Sequence, residues 1–303
     1  MRSPSVQVIV DLGQVRASAE SIRRRTGVRL IAVIKADAYG LGAEQVADTL
    51  ADVADEFAYF YIDEARAIRR PGLVLGPPEG DPDEFRALKV RPAVSTIDAA
   101  EKFKDMPVAI SVDVRMQRFG CPIDQIDLLA QRCNVSEYFC HAVQVESAMR
   151  LRAACGARGK PIHAAATDLL DHPEARLDAV RPGLALYRGA VRVRTRLHTV
   201  RPTAGPVGYG GFQHSPVGII LVGYSSFLRP GPVEINGRSQ QVIETGMSTS
   251  FVTVDPADQA GDEVVLLGGE LTEARLAAHF GTREHEILCR YTAMGARHYV
   301  TRS

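Results

Sequence analysis

The feature that most constrains this chain is a rhythm. Over about 190 residues, short apolar runs alternate with amphipathic stretches rich in Ala, Arg and Glu. "VQVIVDL" has the look of a strand, "GQVRASAESIRRRTG" of a helix, "LIAVIKA" of a strand and "GAEQVADTLADVA" of a helix; the order continues through "FAYFYI", "GLVLG", "RPAVS", "VAISVDV", "YFCHAV" and "PIHAAA". Such alternation specifies a parallel sheet with helical crossovers, and closure as a (β/α)8 barrel fits the length. After Arg192 the character changes to short strands broken by Gly, Pro and Asn, as in "PVGIILVGY", "PVEING" and "SFVTVD". The division expected is a barrel over 1–192 and a smaller, mainly β domain over 193–303, with the strand at about 5–11 a candidate to pair with the latter.

Composition excludes several classes of function. The net charge is zero and the pI near 7, which argues against nucleic acid or an anionic membrane as partner. Five cysteines, odd in number and without CxxC spacing, suggest reduced cytoplasmic thiols, with neither a disulfide framework nor a metal site. The N-terminal stretch has no sustained apolar region, and the longest apolar run is too short to span a bilayer.

Lysine is scarce: Lys35, Lys89, Lys102, Lys104 and Lys160 are the only five among 36 basic residues. Four sit among polar or turn-forming neighbours, whereas Lys35 directly follows Ile31-Ala32-Val33-Ile34. An ammonium on an apolar wall loses solvation and becomes available as nucleophile, base or Schiff-base former; alternatively it snorkels from a strand end to water. Other polar residues recur at the strand ends that would form the C-terminal face: Arg118, His141, Thr167, Arg181 and Gly183. A lysine, arginines and a phosphate-sized Gly/Thr set together favour a pyridoxal-phosphate site.

The segments "AVIKADAYGLG", "VDVRMQRFG", "FCHAV", "HAAAT" and "RPGLALY", followed by "VGYGG", "VGYSSF", "GDEVVLLG" and "HFGTREHEILC", resemble in order those of the alanine racemases, fold-type III pyridoxal-phosphate enzymes. The resemblance implies that Lys35 holds the cofactor and serves as one of two acid/base catalysts, with Tyr224 as the second, donated by the partner of a head-to-tail homodimer. It implies phosphate contacts from Tyr39, Thr167, Gly183 and Leu184, and from His285 where the family has a tyrosine, a pyridine contact from Arg181, a link through His141, and a substrate contact from Arg118. It also implies an isomerase of D-alanine biosynthesis acting in the cytoplasm. Departures fall at the substrate end. Ser111 replaces the lysine, often carbamylated, that usually supports the substrate arginine; Arg115 replaces a glycine; Thr249 and Ser250 replace a Met-Asp pair at the entrance; Ala166 replaces an Asn. The function expected is interconversion of L- and D-alanine, the alternatives being a broader amino-acid racemase or a non-catalytic pyridoxal-phosphate-binding protein.

Overall fold

A computed structural model describes residues 2–301. It separates into two compact units, one of residues 15–38 and 42–186, the other of residues 1–14, 39–41 and 187–303.

The first unit is a closed barrel of eight parallel strands: β2 (Arg29–Val33), β3 (Glu56–Tyr59), β4 (Gly72–Val74), β5 (Val90–Val94), β6 (Pro107–Ser111), β7 (Asn134–Ala142), β8 (Ile162–Ala165) and β9 (Ala179–Val180). Near-continuous apolar runs make these strands, because a barrel strand is covered on both faces. In β2 the four residues Leu30 to Val33 are all buried. Closure comes from the pairs Arg29↔Ala179 and Leu30↔Val180. The helix Leu12–Thr26 buries Val15, Ala19, Ile22 and Thr26, the spacing of one helical face, and turns its arginines outward.

The second unit is an eight-stranded sheet that includes β1 (Gln7–Asp11), the strand that opens the sequence rhythm. β1 lies antiparallel to β10 (Val191–Arg201) and parallel to β16 (Ala296–Val300). The remaining strands are β11 (Val217–Ile220), β12 (Gly231–Ile235), β13 (Arg238–Thr245), β14 (Ser250–Thr253) and β15 (Glu263–Leu267), in the order β11-β14-β13-β12-β15-β10-β1-β16. The β12–β13 hairpin turns on Asn236-Gly237, both at positive φ, the geometry that Asn-Gly supplies most readily. Two helices, Glu273–Phe280 and Glu284–Thr292, stand between β15 and β16. The first carries start and stop signals: Thr272 accepts from the Arg275 N–H, and Gly281 ends it in the left-handed region. Among the described residues, no helix is long and apolar enough to cross a membrane and no side-chain cluster could hold a metal ion.

Candidate active site

Lys35 stands at the C-terminal end of β2, where the chain leaves the barrel in an unusual way. Ala36, Asp37, Ala38 and Tyr39 all take left-handed backbone angles, with φ between 53° and 58°. Each such residue costs about 1–2 kcal/mol in an L-amino acid, so the turn persists only because neighbours over-determine it. The Ala38 N–H donates to Ile34 O (2.9 Å), the Ala36 N–H to Glu64 Oε1 (2.7 Å), and the Ala43 N–H to Asp37 Oδ1 (2.8 Å). Glu64 also accepts from the Phe60 N–H (2.6 Å), tying the end of β3 to the lysine turn. Sequence reasoning missed Glu64; its signal was an acid in the first turn of the helix Ile62–Ile68.

The barrel brings Lys35, Ser111, Arg118, His141 and Arg181 to one cavity, with Phe60, Phe119 and Phe139 among its walls. All five leave or end strands at the C-terminal face. Lys35 Nζ lies 5.5 Å from the Phe60 ring centre, and Arg118 Cζ lies 5.1 Å from that of Phe119. Where the supporting lysine would stand, Ser111 is buried. Arg115 turns aside to Gln144. The loop bearing Arg118 closes at Gly120 (φ 129°), where a Cβ would fall 2.6 Å from the Asp113 backbone nitrogen, so only glycine fits. Arg181 is buried, its backbone N–H donating to Ala165 O (2.8 Å) and its Nη2 to Cys140 O, while its Nε has no partner. Burial lowers its pKa to about 10, so it stays charged at neutral pH. Thr167 and the helix Leu184–Tyr187 are joined by a bond from the Ala185 N–H to Thr167 Oγ1 (3.0 Å), which sets the threonine beside the first turn after Gly183.

The other candidates belong to the second unit. Tyr39 packs its ring 5.2 Å from that of Tyr187, and burial followed by Cys289 raises its pKa to about 12. His285 is exposed at the start of the helix Glu284–Thr292. Tyr224 and Thr249 meet at Gly246, whose carbonyl accepts from the Tyr224 N–H (2.9 Å) and whose N–H donates to Thr249 O (2.8 Å). Thr249 is exposed, whereas Ser250 is buried with its hydroxyl donating to Val222 O (2.7 Å). The Ser250 side chain is thus spent inside the sheet, and Thr249 alone of that pair is presented at the surface.

Buried groups of the barrel set its response to acid. His141 keeps an exposed edge, yet burial of its ring, then the charges of Arg181, Arg118 and Lys35, lower its pKa to about 4. For His163, burial outweighs the upward pull of Glu137 and gives about 4 as well. The ordinary histidine value is 6.5, so between that pH and 4 the unfolded chain binds more protons than the folded one and stability falls as pH falls. Glu137, held down to about 2 by His163 and then Arg91 against the push of burial, extends the loss below 4.5. Glu56, raised by burial, acts in the opposite sense. The urea midpoint of the cofactor-free protein should drop as pH is lowered from about 7 to about 4; a flat or rising midpoint would show these histidines to be protonated in the fold.

Comparison with known proteins matches the alanine racemase N-terminal domain to residues 10–191 and the alanine racemase C-terminal domain to residues 190–299. The chain is 31% identical to the alanine racemase of Pectobacterium atrosepticum, covering 96% of this chain and 98% of that protein. It is 29% identical to the alanine racemase of Yersinia pestis, with the same shares covered. Among solved structures, the alanine racemase of Bartonella henselae, which carries covalently bound pyridoxal phosphate, superposes with a TM-score of 0.87 at 21% identity, covering 98% of this chain and 100% of that one. The biosynthetic alanine racemase of Pseudomonas aeruginosa gives the same score and coverage at 23% identity. Two domain models matched in order, together with a relative alike over nearly its whole length, agree with the barrel and sheet described above: the chain belongs to the alanine racemase family.

Proposed function

We propose that this protein is a pyridoxal-phosphate-dependent racemase that interconverts L- and D-alanine, with Lys35 as one acid/base catalyst and a tyrosine of the second unit as the other. The observation that carries the proposal is the lysine at the end of β2, on the wall of a cavity it shares with Arg118, His141 and Arg181. The donor set fits the cofactor: an amine for attachment, a buried guanidinium lining the cavity, and a threonine beside a helix start for phosphate. Lys35, Thr167, Arg181, Gly183 and Leu184 would hold it, and the family resemblance adds Tyr39 and His285 as phosphate contacts. When bound, pyridoxal phosphate supplies the electron sink that makes the α-proton of an attached amino acid removable. Arg181, set against the pyridine nitrogen as the resemblance implies, would remain a fixed cation and keep its proton, which would leave the sink weak and favour prompt return of the α-proton. Arg118 would take the substrate carboxylate. Lys35 moves the α-proton on one face.

The opposite face needs a second base, and two tyrosines of the second unit qualify. Tyr224, the one the family resemblance singled out, is 54% exposed, whereas Tyr209 in "VGYGG" is 94% exposed. Glu244 accepts the backbone N–H groups of Tyr209 and Gly210 (2.8 and 2.6 Å), so the turn is anchored while the ring projects. A catalyst offered to another subunit must stand clear of its own chain on a fixed base, and this favours Tyr209. Both tyrosines are consistent with a head-to-tail homodimer whose sites are shared between subunits.

Assay of purified protein with L- and D-alanine, and with a panel of other amino acids, tests the activity and its breadth. Formation of the opposite alanine enantiomer is expected; no turnover of any amino acid by cofactor-bound protein would leave a binding protein only. For the shared site, a Lys35→Ala chain mixed with a chain lacking the catalytic tyrosine should recover up to about a quarter of wild-type activity, since one of the two sites in the heterodimer is intact. No recovery despite demonstrated subunit exchange would mean that each site is built from one chain.

A further inference from the structure

A buried ionic cluster inside the barrel takes no part in the chemistry just described. Arg29 and Glu56 open strands β2 and β3, and Arg91 lies near the start of β5. Arg91 Nη2 reaches Glu56 (2.7 Å) and Glu137 (2.6 Å), and Arg29 reaches Glu56 (3.2 Å). Glu137 Oε2 then lies 3.3 Å from Nε2 of His163, which is fully buried. The cluster climbs toward Arg181. The His163 ring stacks on Phe139 at 5.3 Å with an interplanar angle of 4°, and Arg181 Cζ lies 5.0 Å from the same Phe139 ring. Phe139 and His163 are register partners on adjacent strands, and Arg181 follows the next strand of the barrel.

We propose that Glu137 and His163 are positioning residues for Arg181: together with Phe139 they fix its guanidinium at the cavity and supply its counter-charge. The donor and acceptor inventory supports the assignment. An ionised Glu137 can only accept, so the proton of a neutral His163 belongs on Nε2 and its Nδ1 carries a lone pair. Both nitrogens of His163 and the Nε of Arg181 are buried without a hydrogen-bond partner, the Glu137 carboxylate at 3.3 Å being near Nε2 without bonding it. A lone pair on Nδ1 and a proton on Arg181 Nε are complementary in kind, and the cost of burial calls for a partner in each case. A stability role alone is a poor explanation of the cluster, because well-packed apolar residues usually serve a core as well as or better than buried ion pairs.

The inference rests on the proposed function, in which Arg181 faces the cofactor. Its test uses the cofactor-bound protein and four variants: Glu137→Gln, His163→Leu, His163→Gln and Arg181→Ala. Equilibrium dialysis measures retention of pyridoxal phosphate, absorbance reports the cofactor band, and thermal unfolding reports the fold. Glu137→Gln and His163→Leu should weaken retention about tenfold and shift the band in the same direction as Arg181→Ala. His163→Gln, which can still donate to one side and accept from the other, should recover much of the loss. Should His163→Leu fail to fold, the near-isosteric Glu137→Gln decides. A fall in melting temperature with retention and band unchanged would make the cluster merely structural and overturn the inference. Wild-type protein that holds no cofactor would overturn the proposed function as well, whereas wild-type retention with loss only in Arg181→Ala would overturn this inference alone.

Discussion

Lys35→Ala should lower racemisation by about 10⁴-fold or more, since the substitution removes both the attachment point of the cofactor and the acid/base group on one face. The other four lysines, Lys89, Lys102, Lys104 and Lys160, do not line the barrel cavity and offer no substitute. Borohydride treatment of cofactor-bound wild-type protein, followed by peptide mapping, should place the reduced pyridoxyl group on Lys35. The label should vanish in the alanine variant while the fold, judged by thermal unfolding, persists. Label on another lysine, or full activity without Lys35, would remove the lysine from the mechanism. A subtler outcome concerns the left-handed turn: because the bonds that hold residues 36–38 run through backbone groups and Glu64, losing the side chain of Lys35 should not unravel them.

The second large effect separates the two tyrosines. Tyr209→Phe should reduce racemisation by about 10²- to 10⁴-fold, the usual contribution of one general acid/base, while Tyr224→Phe should cost much less. The decisive measurement is isotopic. In deuterated water, a Tyr209→Phe enzyme that keeps Lys35 should still exchange the α-proton of one alanine enantiomer with solvent but not of the other, because only one face retains a base. Exchange at both enantiomers would sink the two-base proposal. One-sided exchange in Tyr224→Phe, with Tyr209→Phe near wild type, would return the role to Tyr224.

Much of the barrel was legible because parallel strands covered on both faces leave uninterrupted apolar runs, and "LIAVIKA", "VAISVDV" and "PIHAAA" all coincide with strands. The strand Ala179–Val180 was not, since two residues carry no period. The helices Glu273–Phe280 and Glu284–Thr292 were hidden by the surrounding short strands, although Thr272 and Gly281 mark the first of them. At the site, Lys35 was conspicuous from its position after an apolar run in a lysine-poor chain. Glu64, Glu137 and His163 were not, because an acid at a helix start and polar residues in apolar strands are common and only their partners distinguish them.

The alternation and the polar residues at strand ends are legible in the sequence, because hydrophobic period and turn chemistry are local properties, whereas the change of character after Arg192 falls past residue 186, where the first unit ends. Packing settled what the sequence left open: that β1, a candidate from the sequence, pairs with β10 and β16, that Ser250 spends its hydroxyl on Val222, and that His163, beside Glu137, stacks on the Phe139 ring that Arg181 also faces. Each of those outcomes depends on which distant backbone or side chain satisfies a buried polar group or strand edge. That choice follows from packing and desolvation across the whole fold, and neighbours in sequence do not encode it.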